Sequence, residues 1–168
     1  MVVPVSDLDA TLLELIRAAA PAEGTAWLEA GIAGVADGSK DIRVLFPGCA
    51  RHVGRGGLGT AVTLGGVPLA AWRVDDAARV ELLRSAARRF PDGVFALAVE
   101  LYRSGDARER TGALRALALL PAAPTDAAGL PAILDAMRTS QPRSSRLRSS
   151  ITRTRGGTCR STSGARPC

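Results

Sequence analysis

The chain has 168 residues, a formal net charge of +6 and only 4 % aromatic side chains. That length suits one domain with a core of its own, which the scarcity of aromatics assigns to Leu, Val and Ala. The opening residues show no basic-then-apolar leader, no run of about 18 apolar residues exists, and the three cysteines lack a framework spacing; together these point to a soluble cytoplasmic protein with no membrane insertion and no disulfide scaffold.

Taken in order, Ser6 reads as the cap of a first helix, with Asp7 and Asp9 in its first turn and Leu8, Leu12, Leu15, Ile16 and Ala19 on one stripe ended by Pro21. A second helix is expected from Ala22 to Val35, with Trp27, Leu28, Ile32 and Val35 inward and Gly38 closing it. Asp41 caps a third, carried by Ile42, Leu45 and Phe46 and continued by Cys49, Ala50 and Val53, with a kink or break expected at Pro47. From Gly54 to Leu69 the glycines argue against helix, and a long loop with an extended segment at Ala61–Leu64 is expected. Asp75 or Asp76 then caps a helix with the stripe Val80, Leu83, Ala87 and Phe90, and Asp92 starts the next, with Val94, Leu97, Ala98 and Leu101 inward.

The most legible stretch is Leu101–Pro121. Gly105 reads as a left-handed helix end, Asp106 with Glu109 as a capping box, and Ala113, Leu114, Leu117 and Leu120 as one face of the following helix. Two helices joined by so short a turn make an αα-hairpin, and the second has the look of one helix of a HEAT-type repeat. A last helix is expected after Thr125 or Asp126, with Leu130, Ile133, Leu134 and Met137 on its face. The fold class is therefore all-α: an irregular array of six to seven short amphipathic helices packed as αα-hairpins, without the fixed period of a solenoid.

The charge is unevenly spread. Residues 137–168 hold eight arginines and no acid, which leaves 14 basic against 16 acidic residues in 1–136, a net of −2. The chain accordingly divides into a helical domain, 1–139, and a basic tail, 140–168, whose large aliphatics are only Leu147 and Ile151 and whose expected state is disorder. Such an arm binds nucleic acid through its phosphates. Its Arg, Ser, Thr, Gly, Pro and Cys are equally what GC-rich DNA encodes out of frame, and a frame-shifted tail is the favoured reading.

Candidate chemistry in the body is sparse. Gly54-Arg55-Gly56-Gly57-Leu58-Gly59 matches the dinucleotide fingerprint in letters, but a helical pattern precedes it and none follows, so a turn is the better reading. Cys49 and His52 have Cys-x-x-His spacing; with one histidine in the chain they do not make a metal site, and neither metal nor cofactor is expected. An enzyme reading would use Cys49 as a thiolate nucleophile with His52, supported by an anion site at Arg51 and Arg55. The Asp75–Asp76 pair is either a paired-carboxylate site or, more ordinarily, a cap and a first-turn acid. The body's candidate binding site is a pocket ringed by Arg51, Arg55, Trp72, Asp75 and Asp76 and floored by the glycine loop, suited to a small anion or a protein partner.

Several segments, in order, resemble the EboA family of bacteria: Ile42-Arg43-Val44-Leu45-Phe46-Pro47, Arg51-His52-Val53-Gly54-Arg55-Gly56, Ala71-Trp72, Val74-Asp75-Asp76-Ala77-Ala78-Arg79, Leu101-Tyr102-Arg103, Gly105-Asp106, Glu109-Arg110, Leu114-Arg115-Ala116-Leu117, Gly129-Leu130 and Asp135-Ala136-Met137-Arg138-Thr139. The resemblance covers about residues 10–139. It implies a helical accessory protein of a secondary-metabolite biosynthesis or export operon, whose neighbours resemble a prenyltransferase, a metal-dependent hydrolase and a sugar-phosphate cyclase. Partners would be proteins of that operon or a small anionic metabolite. The resemblance carries no catalytic residues, and it implies that this chain is truncated or frame-shifted at its C-terminus, where the family pattern continues with further helices.

Overall fold

The computed structural model describes residues 2–3 and 8–120. Helix α1 spans Leu8–Ala19, α2 Ala22–Asp37, α3 Ile42–His52, α4 Val74–Arg89, α5 Val94–Ser104 and α6 Ala107–Leu117, so the described residues form a mostly helical protein. A small sheet joins β1 (Val2–Val3), β2 (Thr63–Leu64) and β3 (Val67–Pro68), with β1 parallel and β3 antiparallel to β2. The expected helix after Thr125 and the basic tail lie outside the described residues, as does the Ser6 cap.

Helix α4 is the centre of the array. It packs against α1, α2, α3, α5 and α6, and residues Val74–Leu83 and Ser85–Ala87 are all buried. The single stripe expected for it is therefore a correction: Val80, Leu83 and Ala87 are buried, but so are Leu82, Ala77 and Ala78 on other faces, while Phe90 is half exposed. A helix apolar or small on every side is one surrounded by neighbours. Leu12 and Ile16 of α1, Leu28 and Val35 of α2 and Leu45 and Phe46 of α3 complete the core with it, each large side chain contributing about 1.5–3 kcal/mol by leaving water. Buried Ser85 donates to the Ile32 carbonyl at 2.7 Å, tying α4 to α2 without leaving its hydroxyl orphaned.

Local chemistry explains the ends. Asp41 caps α3 by accepting from Arg43 N at 2.9 Å, and Gly38 closes α2 in the left-handed region. Asp106 accepts from Arg108 N and Glu109 N at 2.7 and 2.9 Å while Glu109 accepts from Asp106 N at 3.1 Å, completing the capping box of α6.

Five expectations are revised. Helix α3 runs unbroken through Pro47, because that ring lies on the exposed face and removes only the bond to the exposed Arg43. Gly105 is extended, with φ −78° and ψ 160°, and serves close approach instead: a Cβ there would lie 2.7 Å from Leu101 O. Helix α5 is entered through Gly93, not Asp92, and α4 through Arg73, not an aspartate. On α6 the buried face is Gly112, Ala113 and Ala116, with Leu114 and Leu117 only half buried. Small residues there let α6 lie close on α4.

Candidate functional site

The long loop after α3 is held by its own main chain. Buried Leu58, Leu64 and Leu69 anchor it in the core, and the turn between β2 and β3 is Gly65-Gly66, both at positive φ as a tight hairpin requires. Of the expected extended segment Ala61–Leu64, Thr63–Leu64 form β2 and Ala61 and Val62 lie outside it. The loop also returns to the start of α4: Leu58 N donates to Trp72 O at 2.9 Å and Val74 N to Gly56 O at 3.0 Å. The loop and the α4 start thus lie beside one another. Between those anchors Arg55, Gly56, Gly57 and Gly59 are exposed, and a Cβ added at Gly54, Gly56 or Gly59 would meet nothing within 4 Å. This is an open stretch of main chain on a fixed base. With α3 before it and a hairpin after it, the stretch lacks the strand–turn–helix setting of a dinucleotide fingerprint.

Beneath the loop lies a buried charge network. Asp75 and Asp76 occupy the first turn of α4, where acids face the positive end of the helix. Asp75 accepts from Arg79, one turn on, at 2.7 Å, and Arg73 approaches its other oxygen at 3.4 Å. Arg79 is itself buried; its Nε donates to Phe46 O at 3.2 Å, and its guanidinium lies 5.6 Å from the Phe46 ring centroid. Asp76 accepts from Arg73 N at 3.2 Å and from Arg115 of α6. Arg115 also donates to Ala71 O at 3.1 Å and stands 5.1 Å over the ring of buried Trp72. One network therefore joins α3, α4, α6 and the end of the loop.

Electrostatics follow from this burial. Burial raises the Asp76 carboxyl above its ordinary value, against the opposing pull of Arg115 and of the Arg73 amide. At the α5–α6 turn the amides of Glu109 and Arg108 hold the Asp106 carboxyl below its ordinary value, and the fields of Arg79 and Arg55 add to that effect.

The five residues expected to ring one pocket divide into two sets. Trp72, Asp75 and Asp76 are brought together, each with at most 4 % exposure, and the guanidiniums set against them are those of Arg73, Arg79 and Arg115. Arg51, in the last turn of α3, and Arg55, in the loop, are exposed. None of the three inner arginines is among the site residues expected from the sequence. Asp75 and Arg79 do carry a signal, since i,i+4 spacing puts opposite charges on one helix face; Arg115 carries none, because its partner is 39 residues away.

Cys49 and His52 sit in different surroundings. Cys49 is fully buried, its thiol directed at Leu45 O at 3.7 Å, and burial pushes its pKa up to about 12. A protonated, inaccessible thiol is no nucleophile at neutral pH. His52 is exposed and stacks on Trp27 with ring centroids 4.2 Å apart. Among the described residues no group of three His, Cys, Asp or Glu side chains is placed to hold a metal ion, and no helix is long and apolar enough to cross a membrane. Comparison with protein-family models, curated proteins and solved structures finds no match to this chain.

Proposed function

We propose that this protein acts by binding rather than by catalysis, as a helical accessory protein of the kind the EboA resemblance implies, serving a secondary-metabolite biosynthesis or export operon. Its working surface in this reading is the open glycine loop with Arg51 and Arg55. Trp72, Asp75 and Asp76 act beneath it as a platform that keeps the loop's shape, and do not touch the ligand. The observation that carries the reading is the contrast in charge use: buried Arg79 and half-buried Arg115 are spent on carboxylates and carbonyls of the fold, whereas Arg51 and Arg55 are exposed beside bare main chain that a ligand can approach. An anionic group on a protein partner or a small metabolite fits such a rim. The low reactivity expected of Cys49 counts against the enzyme alternative.

The test is the double variant Arg51→Ala/Arg55→Ala, expressed in a host carrying the operon from which the native gene has been deleted. The expected outcome is loss of the operon's product with a melting temperature within about 1–2 °C of wild type, since exposed side chains away from special features change stability little. Full complementation by the variant would refute the reading. A fall in melting temperature of many degrees would show the arginines to be structural instead.

A further inference from the structure

The opposite end of the α3–α4 pair carries a second feature. Where α2 ends, α3 begins and α4 ends, a cleft of about 280 Å³ opens. Its floor is apolar: Val35, Ile42, Ala86 and half-buried Leu97. About 150 Å³ of apolar cavity suffices for a benzene molecule, so this cleft has room for a ring and a polar substituent.

The rim is charged, and the charges are unequally engaged. Arg43 is saturated: its Nε and Nη2 donate to the two oxygens of Glu100 at 2.7 and 2.8 Å. Asp41 is held by its capping bond to Arg43 N, and Asp37 accepts from Ser39 N at 2.8 Å. Lys40 and Arg89, in contrast, form no ion pair within 4.0 Å among the described residues; Asp37 acts on them only at longer range. Arg89 nevertheless rests against the fold. Its guanidinium lies against the main chain of Gly38, where a Cβ would overlap it, and 4.6 Å from the ring centroid of half-exposed Phe90. The Lys40 stem packs over Gly34 in the same manner. Two cations that keep hydrogen-bonding capacity are thus positioned over an apolar floor, next to an aromatic face.

We propose that this cleft binds a small organic anion: a ring-sized apolar body seated on Val35, Ile42 and Leu97, with one carboxylate or phosphate between Lys40 and Arg89. The site is separate from the glycine loop and does not depend on the function proposed for it. The apolar floor selects against inorganic anions, and the cations select against neutral rings, so both halves of the ligand are needed.

The experiment is a titration of the full chain, 15N-labelled, with phenyl phosphate, benzoate, benzyl alcohol and inorganic phosphate, followed by amide shifts. Phenyl phosphate or benzoate should give saturable shifts at Lys40, Ile42, Arg89 and Phe90, with benzyl alcohol and inorganic phosphate each binding about tenfold or more weakly, the loss expected for one charge-assisted contact or for the apolar seat. Lys40→Gln/Arg89→Gln should weaken the aromatic anions about tenfold and leave benzyl alcohol unchanged. Both side chains are exposed, and circular dichroism checks that the variant folds. Should it not, the wild-type comparison of anion with neutral ring decides alone. The proposal is overturned by unsaturable shifts, by shifts confined to residues 54–59, by equal binding of benzyl alcohol or of inorganic phosphate, or by a folded double variant that binds phenyl phosphate as wild type does.

Discussion

Gly112 of α6 lies directly on the stem of Arg79 in α4: a Cβ at 112 would stand 2.5 Å from Arg79 Cδ and 3.2 Å from its Cβ. Arg79 cannot move aside, because its head is pinned to Asp75 and to the Phe46 carbonyl. Gly112→Ala therefore sets a helix-propensity gain of about 1 kcal/mol against an overpacking cost of about 1–3 kcal/mol. We expect a net loss of up to about 2 kcal/mol in urea denaturation. An Ala variant more stable than wild type would show that α6 rides free of Arg79.

Removing Asp75 tests the network itself. Asp75→Ala leaves the buried Arg79 guanidinium without its carboxylate, a change that costs about 3–5 kcal/mol. Combining it with Arg79→Met removes the stranded charge as well, so the double variant should lose less than the sum of the two single variants, by roughly 1 kcal/mol or more. Additive losses would mean the pair does not interact.

The Asp106 cap gives a prediction with a pH sign. Its folded-state pKa lies below the ordinary 3.8. A depressed carboxylate stabilises the fold fully above its unfolded value, and that stabilisation is lost as pH falls through the folded value. Asp106→Ala should cost about 1 kcal/mol at pH 7, and the gap between variant and wild type should close below pH 3.8. A gap constant from pH 7 to pH 3 would exclude the carboxylate as its source.

Asp76 should behave in the opposite sense, because burial raises its pKa. Its favourable contribution is present at acid pH, below the unfolded value, and declines as pH rises through the folded value. Carboxyl titration of the native protein by NMR should place Asp76 above Asp106. The reverse order would contradict the burial argument.

Cys49 should resist alkylation. With its thiol buried and its pKa near 12, iodoacetamide at pH 8 should modify it only as fast as the chain unfolds, read by peptide mapping. Cys49→Ala should retain function. Rapid native labelling, or loss of function with the fold intact, would reopen the enzyme reading.

What depends on near neighbours along the chain is legible in its residues. Helices α1, α2, α3, α5 and α6 follow from apolar residues at helical spacing, and the Asp41 and Asp106 caps are legible because cap and amide are two or three residues apart. The same locality made two readings fail: Pro47 is tolerated because of the face it occupies, and Gly105 is needed for what it approaches, not for its φ. Tertiary structure alone decided that α4 lies at the centre, since a helix buried on every side loses the polar face by which a stripe is recognised. It also decided which arginines meet Asp75 and Asp76. Oppositely charged side chains in the chain far outnumber the pairs that form, and only packing chose Arg115 and the Phe46 carbonyl, from 39 and 33 residues away, while leaving Arg51 and Arg55 at the surface. A charge is visible in a sequence; whether it is buried and paired depends on elements that meet only when the chain has folded.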